Sequence, residues 1–126
     1  MMKKMLRGAR VIDLSQDLDT IKDVLIVNGS IADIKEKIEI SDAEVTDLSG
    51  MIVTPGLIDI HAHFREPGYE YKEDIESGSK SAAAGGFTAV ACMPNTKPPI
   101  DNGSLVEYVK SKASKVSEIK ILPIGC

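Results

Sequence analysis

The chain has 126 residues, 43% of them hydrophobic and 27% charged, with a net charge of -4 at neutral pH. That length bounds one modest domain or a piece of a larger one. A mild negative charge spread along the chain argues against a nucleic-acid partner, and no apolar run is long enough for a membrane span or a signal peptide. Cys92 and Cys126 lie far apart and form no CxxC pair, so the expected setting is a reducing one, the cytoplasm.

The first part of the chain, residues 1–54, reads as a small β module. Met5 to Asp13 is a candidate strand, followed by a loop at Ser15-Gln16-Asp17. Val24 to Val27 and Ser30 to Ile34 flank Asn28-Gly29. Asn-Gly between two apolar runs predicts a hairpin, because both turn positions tolerate positive φ. Lys35 to Asp42 is charged and loop-like. Glu44 to Leu48 and Met51 to Val53 read as two further short strands around Ser49-Gly50.

From residue 55 onward the pattern becomes α/β. Strands are expected over Leu57–His63, Thr88–Met93 and Ile119–Ile124, with starts spaced by about 31 residues, the spacing of strand, crossover helix and parallel strand. One crossover helix runs from about Glu73 to Ala84 and stops at Gly85-Gly86. Its small residues Gly78, Ala82 and Ala83 suit close packing on a sheet. The other begins near Ser104, where Ser104 and Glu107 have capping-box spacing, and Leu105, Val109 and Val116 give it an apolar stripe. A βαβαβ segment of three parallel strands leaves a sheet edge open, so the chain reads as truncated.

The stretch Gly56 to Gly68, GLIDIHAHFREPG, carries the chemistry. Side chains alternate faces along a strand. Asp59, His61, His63 and Arg65 are therefore expected on one face, opposite Ile58, Ile60, Ala62 and Phe64. The two histidines are the only ones in the chain. Imidazoles at i and i+2 start about 6.5–7 Å apart at the backbone and can converge on one ion. Zinc wants three or four protein ligands, so two histidines are half a site. Asp59, deeper in the strand, reads as a supporting carboxylate behind the ligands. Arg65 reads as an ordinary surface arginine or, more specifically, as a clamp for a substrate carboxylate, and Asn95, at the end of the neighbouring strand, as a turn residue or as an amide aimed at the same ligand. Glu66, Glu73 and Asp74 read as solvated or first-turn residues.

The run GLIDIHAHFREPGYEYKEDIESGSKSAAAGGFTAVACMPNTKPPIDN, led in by DLSGMIVTP, resembles the N-terminal third of dihydroorotases, in the metal-dependent amidohydrolase superfamily. Its specific segments are D-x-H-x-H-x-R-E-P-G and M-P-N-T. Allantoinases look similar but typically carry Asn in place of Arg65, and hydantoinases lack the R-E-P-G. The resemblance implies a (β/α)8, TIM-like barrel, of which residues 55–126 would be the first βαβαβ portion. Residues 1–54 would be part of a small β-sandwich. It implies zinc as cofactor, with His61 and His63 as the first two metal ligands and Arg65 and Asn95 holding the substrate carboxylate. The implied reaction is the reversible cyclisation of N-carbamoyl-L-aspartate to dihydroorotate in pyrimidine synthesis. The implied partners are the remainder of the dihydroorotase chain and aspartate carbamoyltransferase. The catalytic acid/base and the remaining ligands would come from later strands, so this chain alone is expected to be inactive. Two other readings are another cyclic amidohydrolase of the allantoinase or hydantoinase type, and a non-catalytic dihydroorotase-like subunit assembling with the carbamoyltransferase. Retention of both histidines weighs against the second.

Overall fold

The computed structural model describes residues 2–126. The chain divides into two compact units, Met1–Pro55 and Gly56–Cys126. Among the described residues, no helix is long and apolar enough to cross a membrane.

The first unit is a mixed five-stranded sheet of β1 (Lys3–Asp13), β2 (Leu18–Val27), β3 (Ser30–Lys35), β4 (Glu44–Asp47) and β5 (Ile52–Val53). β1, β2 and β3 form an antiparallel meander, while β4 and β5 both run parallel to β1. The Asn28-Gly29 hairpin forms as its sequence predicts, with φ of 51° and 81° at the two turn positions. β2 starts well before the expected Val24. Its charged first half, Leu18 to Asp23, is held by pairing with β1 rather than by an apolar pattern of its own. Asp23 shows why: it is buried, and its carboxylate accepts hydrogen bonds from the Gly8 N–H at 2.9 Å and the Ile38 N–H at 3.0 Å. One buried carboxylate thus ties the β1 irregularity around Gly8 to the loop after β3. A cavity of about 730 Å³ lies beside that loop, lined by Arg7, Asp23 and residues 36–41, among them no histidine or cysteine.

The second unit is a three-stranded sheet of β6 (Leu57–Ala62), β7 (Phe87–Cys92) and β8 (Lys120–Pro123), in the order β6-β7-β8 and parallel throughout. The helices α1 (Ile75–Ala84) and α2 (Gly103–Val116) connect the strands. Their apolar sides meet Val90, Cys92 and Ile121 in one core that also holds Phe64, Ile75, Ile100, Val109 and Ala113. Burying one such side chain is worth about 1.5–3 kcal/mol, so this core is the main support of the loops above it. Val90, Cys92 and Ile121 give that face of the sheet. The other face, defined by Ala89 and Ala91 and their register partners Ile58 and Leu122, leaves Ile58 and Leu122 exposed.

Both helices begin a step or two away from the positions expected from sequence. α1 starts at Ile75, because Asp74 adopts an extended backbone and accepts from the Ser77 N–H as N-cap; Glu73 lies outside the helix. α2 is capped by Asn102, whose side chain accepts from the N–H groups of Ser104 and Leu105, so Ser104 is inside the helix and no capping box forms. Gly78 lies where α1 meets Phe64, and a Cβ there would come within 2.6 Å of the ring. Ala82 packs on the core, as the small-residue face predicts, whereas Ala83 is exposed.

Candidate active site

β6 ends one residue earlier than its sequence suggests, at Ala62, and it carries a bulge. From Asp59 to Ala62 it advances three residues while β7 advances two, from Val90 to Cys92. The extra residue breaks the period-two alternation. Asp59 pairs beside Val90 and borders a groove that His63 also lines, together with Ser81, Ala82 and Phe87. The regular alternation expected along Asp59, His61, His63 and Arg65 is therefore interrupted at the bulge. Asp59 accepts a hydrogen bond from the His61 N–H at 2.8 Å, bracing the bulge from which His61 projects.

The two imidazoles do come together. Their ring centres are 5.3 Å apart and the rings are inclined by 67°. A zinc ion about 2.1 Å from one nitrogen of each ring, in tetrahedral arrangement, would hold the ring centres roughly 5 Å apart. The pair thus fits one shared divalent cation. Among the described residues, no third histidine, cysteine, aspartate or glutamate joins them to complete a metal cluster.

Asn95 lies on the loop after β7, and its Oδ1 is 2.9 Å from Nδ1 of His63. Backbone hydrogen bonds set this placement. The Met93 N–H donates to Ala62 O and the Lys97 N–H to Pro67 O, each at 2.9 Å, joining the loop after β7 to the loop after β6. The same approach explains Gly68: φ is +95°, and a Cβ would stand 2.0 Å from the carbonyl oxygen of Lys97. Only glycine fits there.

Arg65 follows the strand rather than belonging to it. Its φ is +62°, and the Glu66 N–H donates across it to Phe64 O at 2.8 Å, a three-residue turn rarely adopted by a side-chain-bearing residue. Among the described residues, the Arg65 guanidinium has no ion-pair partner.

The strained turn is locked by Glu66, whose sequence context suggests a solvated position. The structure corrects that expectation: Glu66 is buried, its side chain 1% exposed. Its carboxylate accepts from the Ile75 N–H at 2.9 Å, from the Tyr108 hydroxyl at 2.7 Å and from Lys112 Nζ at 3.0 Å. Burial by itself would raise the Glu66 pKa, but these donors together outweigh it and hold the carboxyl below its ordinary value. The Tyr108 hydroxyl is correspondingly pushed up, chiefly by its bond to Glu66. Glu66 thereby clamps the β6 loop to the start of α1 and to the side of α2. The signal for this lies in Tyr108 and Lys112, one helical turn apart on α2, but nothing local points them at residue 66. Asp74, the α1 cap, is also held below its ordinary pKa, first by the Ser77 N–H and then by the Ser77 hydroxyl. Cys92, under the sheet, is pushed up to about 11 by burial and is no nucleophile.

Two neighbouring imidazoles at a strand end, on parallel strands whose loops hold a half-buried guanidinium and an exposed amide, form the candidate site. The chain belongs to the dihydro-orotase-like family, whose model matches residues 50–126. It is 51% identical over 124 residues to a dihydroorotase from Ruminiclostridium cellulolyticum, covering 98% of this chain and 29% of that protein. Dihydroorotases from Geobacter metallireducens and Aquifex aeolicus are each 50% identical over 125 residues, covering 98% and 99% of this chain and 30% of the relative. The chain thus spans under a third of the length of these relatives. Among solved structures it is similar to an L-hydantoinase (dihydropyrimidinase) from Arthrobacter aurescens, with a TM-score of 0.87 at 27% identity, covering 99% of this chain and 28% of that one. A D-hydantoinase gives a TM-score of 0.72 at 28% identity, covering 97% of this chain and 26% of that one.

Proposed function

We propose that this chain is the N-terminal portion of a zinc-dependent dihydroorotase that interconverts N-carbamoyl-L-aspartate and dihydroorotate. The observation that carries this reading is identity of about 50% to dihydroorotases over 98% of the chain, a span that takes in the stretch from His61 to Asn95. The likeness to hydantoinases reflects a shared fold at lower identity. Arg65 separates the two chemistries, since dihydroorotate bears a carboxylate that hydantoin-type rings lack.

In this reading the second unit supplies the first three strands of a TIM-like barrel, and the exposed Ile58 and Leu122 face its interior. The first unit is part of a β-sandwich. His61 and His63 hold the metal, and Asp59 keeps the bulge that aims His61. Bound zinc supplies the Lewis acidity that polarises the ring amide carbonyl. Arg65 grips the substrate carboxylate with two parallel charge-assisted bonds, and the Asn95 amide donates to the same group. Their fixed loops orient the ring before reaction, and orientation alone accounts for much of an enzyme's advantage. Two ligands are half a coordination shell, so this chain by itself is inactive and depends on the remainder of the dihydroorotase chain. Assembly with aspartate carbamoyltransferase and a cytoplasmic setting belong to the same reading, and the free thiols of Cys92 and Cys126 suit a reducing compartment.

The test is a pair of single variants, His61→Ala and His63→Ala, in the full-length protein. Each should lose bound zinc and dihydroorotate hydrolysis together. Retention of both in either variant would refute the assignment.

A further inference from the structure

We propose that Asn95 positions the metal ligand His63 as well as contacting substrate, by fixing the tautomer of its imidazole. The atom of Asn95 that meets His63 is Oδ1, at 2.9 Å from Nδ1. An amide oxygen can only accept, so this contact is a hydrogen bond when Nδ1 carries the proton. A neutral imidazole protonated at Nδ1 has its lone pair on Nε2 alone, which leaves one nitrogen for a cation. Ligating histidines are commonly oriented through a bond from the other ring nitrogen to a carbonyl or carboxylate. Here a side-chain amide takes that place.

The surroundings of Asn95 support a built contact. Its side chain is exposed, so it fills no core, yet the backbone on both sides is pinned. The N–H groups of Thr96 and Ile100 both donate to Pro94 O, at 2.8 and 3.1 Å, and the buried Thr96 hydroxyl donates to Pro98 O at 2.7 Å. Among the described residues, the Asn95 NH2 group has no partner, so its two donors are free for an acceptor on a ligand. One amide then does two separable jobs. Its oxygen orients His63 and its nitrogen reaches the substrate carboxylate, so the metal and the substrate anion are held through the same side chain.

This inference rests on His63 being a metal ligand, and the experiment separates the two. Zinc affinity of the full-length protein is measured by chelator competition for wild type, Asn95→Leu, Asn95→Asp and His63→Ala, without substrate. Asn95→Leu removes the acceptor and should weaken zinc binding about 10–100-fold. Asn95→Asp keeps an acceptor for the Nδ1 proton and should bind zinc near the wild-type level, while its negative charge opposes the substrate carboxylate and raises KM for dihydroorotate. Cobalt-substituted protein gives an independent readout, since the visible ligand-field bands should shift in the Leu variant and not in the Asp variant. If Asn95→Leu binds zinc like wild type while His63→Ala does not, the positioning role is overturned and the ligand assignment stands. Equal weakening of zinc binding by Asn95→Asp and Asn95→Leu would overturn the positioning role as well. If His63→Ala also binds zinc like wild type, the underlying ligand assignment fails.

Discussion

The hydroxyl of Tyr108 donates to the buried carboxylate of Glu66 at 2.7 Å, joining the outer side of α2 to the loop that carries Arg65. Because the same carboxylate also takes the Ile75 N–H, its loss leaves more than one polar group without a partner. Glu66→Ala should therefore destabilise the protein by about 2–4 kcal/mol, and Tyr108→Phe by only about 0.5–1 kcal/mol. Urea unfolding monitored by circular dichroism measures both. Equal costs for the two variants would contradict the view of Glu66 as the hub.

The same network sets a pH dependence. The Glu66 carboxyl is held below its ordinary value of 4.5 when folded, so protons bind the unfolded chain more readily. Its stabilising contribution is present in full above that value and is lost as the pH falls below it, through the folded pKa. The urea midpoint should fall between pH 5 and pH 3, a window taken roughly around the carboxylate range. It should fall less steeply for Glu66→Gln. Parallel slopes for wild type and the Gln variant would mean that other carboxylates, Asp74 among them, carry the dependence.

Gly78 is predicted to resist a substitution that helix propensity favours. Alanine at a helix interior gains about 0.8–1.0 kcal/mol over glycine. Here its Cβ would stand 2.6 Å from the Phe64 ring, which is itself buried. Overpacking of that kind costs about 1–3 kcal/mol. Gly78→Ala should thus lower the midpoint of thermal unfolding, and pairing it with Phe64→Leu should recover part of the loss. A stabilised single variant would show that α1 can move off the sheet.

Much of this architecture is legible in the residues. The hairpin at Asn28-Gly29 and the βαβαβ order both follow from local pattern. The bulge in β6 is not legible, because period-two alternation over Asp59 to Phe64 is as regular in sequence as in an unbroken strand. Its cause is the pairing with β7 together with the Asp59 bond to the His61 N–H. The burial of Glu66 is hidden for a related reason. A carboxylate between Arg and Pro resembles a surface turn residue until α2 brings Tyr108 and Lys112 across it. The helix starts differ by one or two residues because Asp74 and Asn102 take the capping roles, the latter in place of Ser104.

Arg65 should act on the substrate carboxylate and not on the metal. Arg65→Met keeps much of the length but removes the charge and every donor. By analogy with truncating one partner of a buried charge pair, kcat/KM for dihydroorotate should fall by about 2–5 kcal/mol of transition-state binding. Zinc content should stay at the wild-type level. Loss of zinc in this variant would mean that the turn at Arg65, and not its guanidinium, is what matters.

We propose that the loops after β6 and β7 select a ring bearing a carboxylate. The most direct measurement is the ratio of kcat/KM for dihydroorotate to that for the same ring without its carboxylate, in the full-length wild-type protein and in Arg65→Met. A large preference for dihydroorotate is expected in wild type, collapsing toward unity in the variant. Wild-type protein that prefers the carboxylate-free ring, or a ratio unchanged by Arg65→Met, would contradict it.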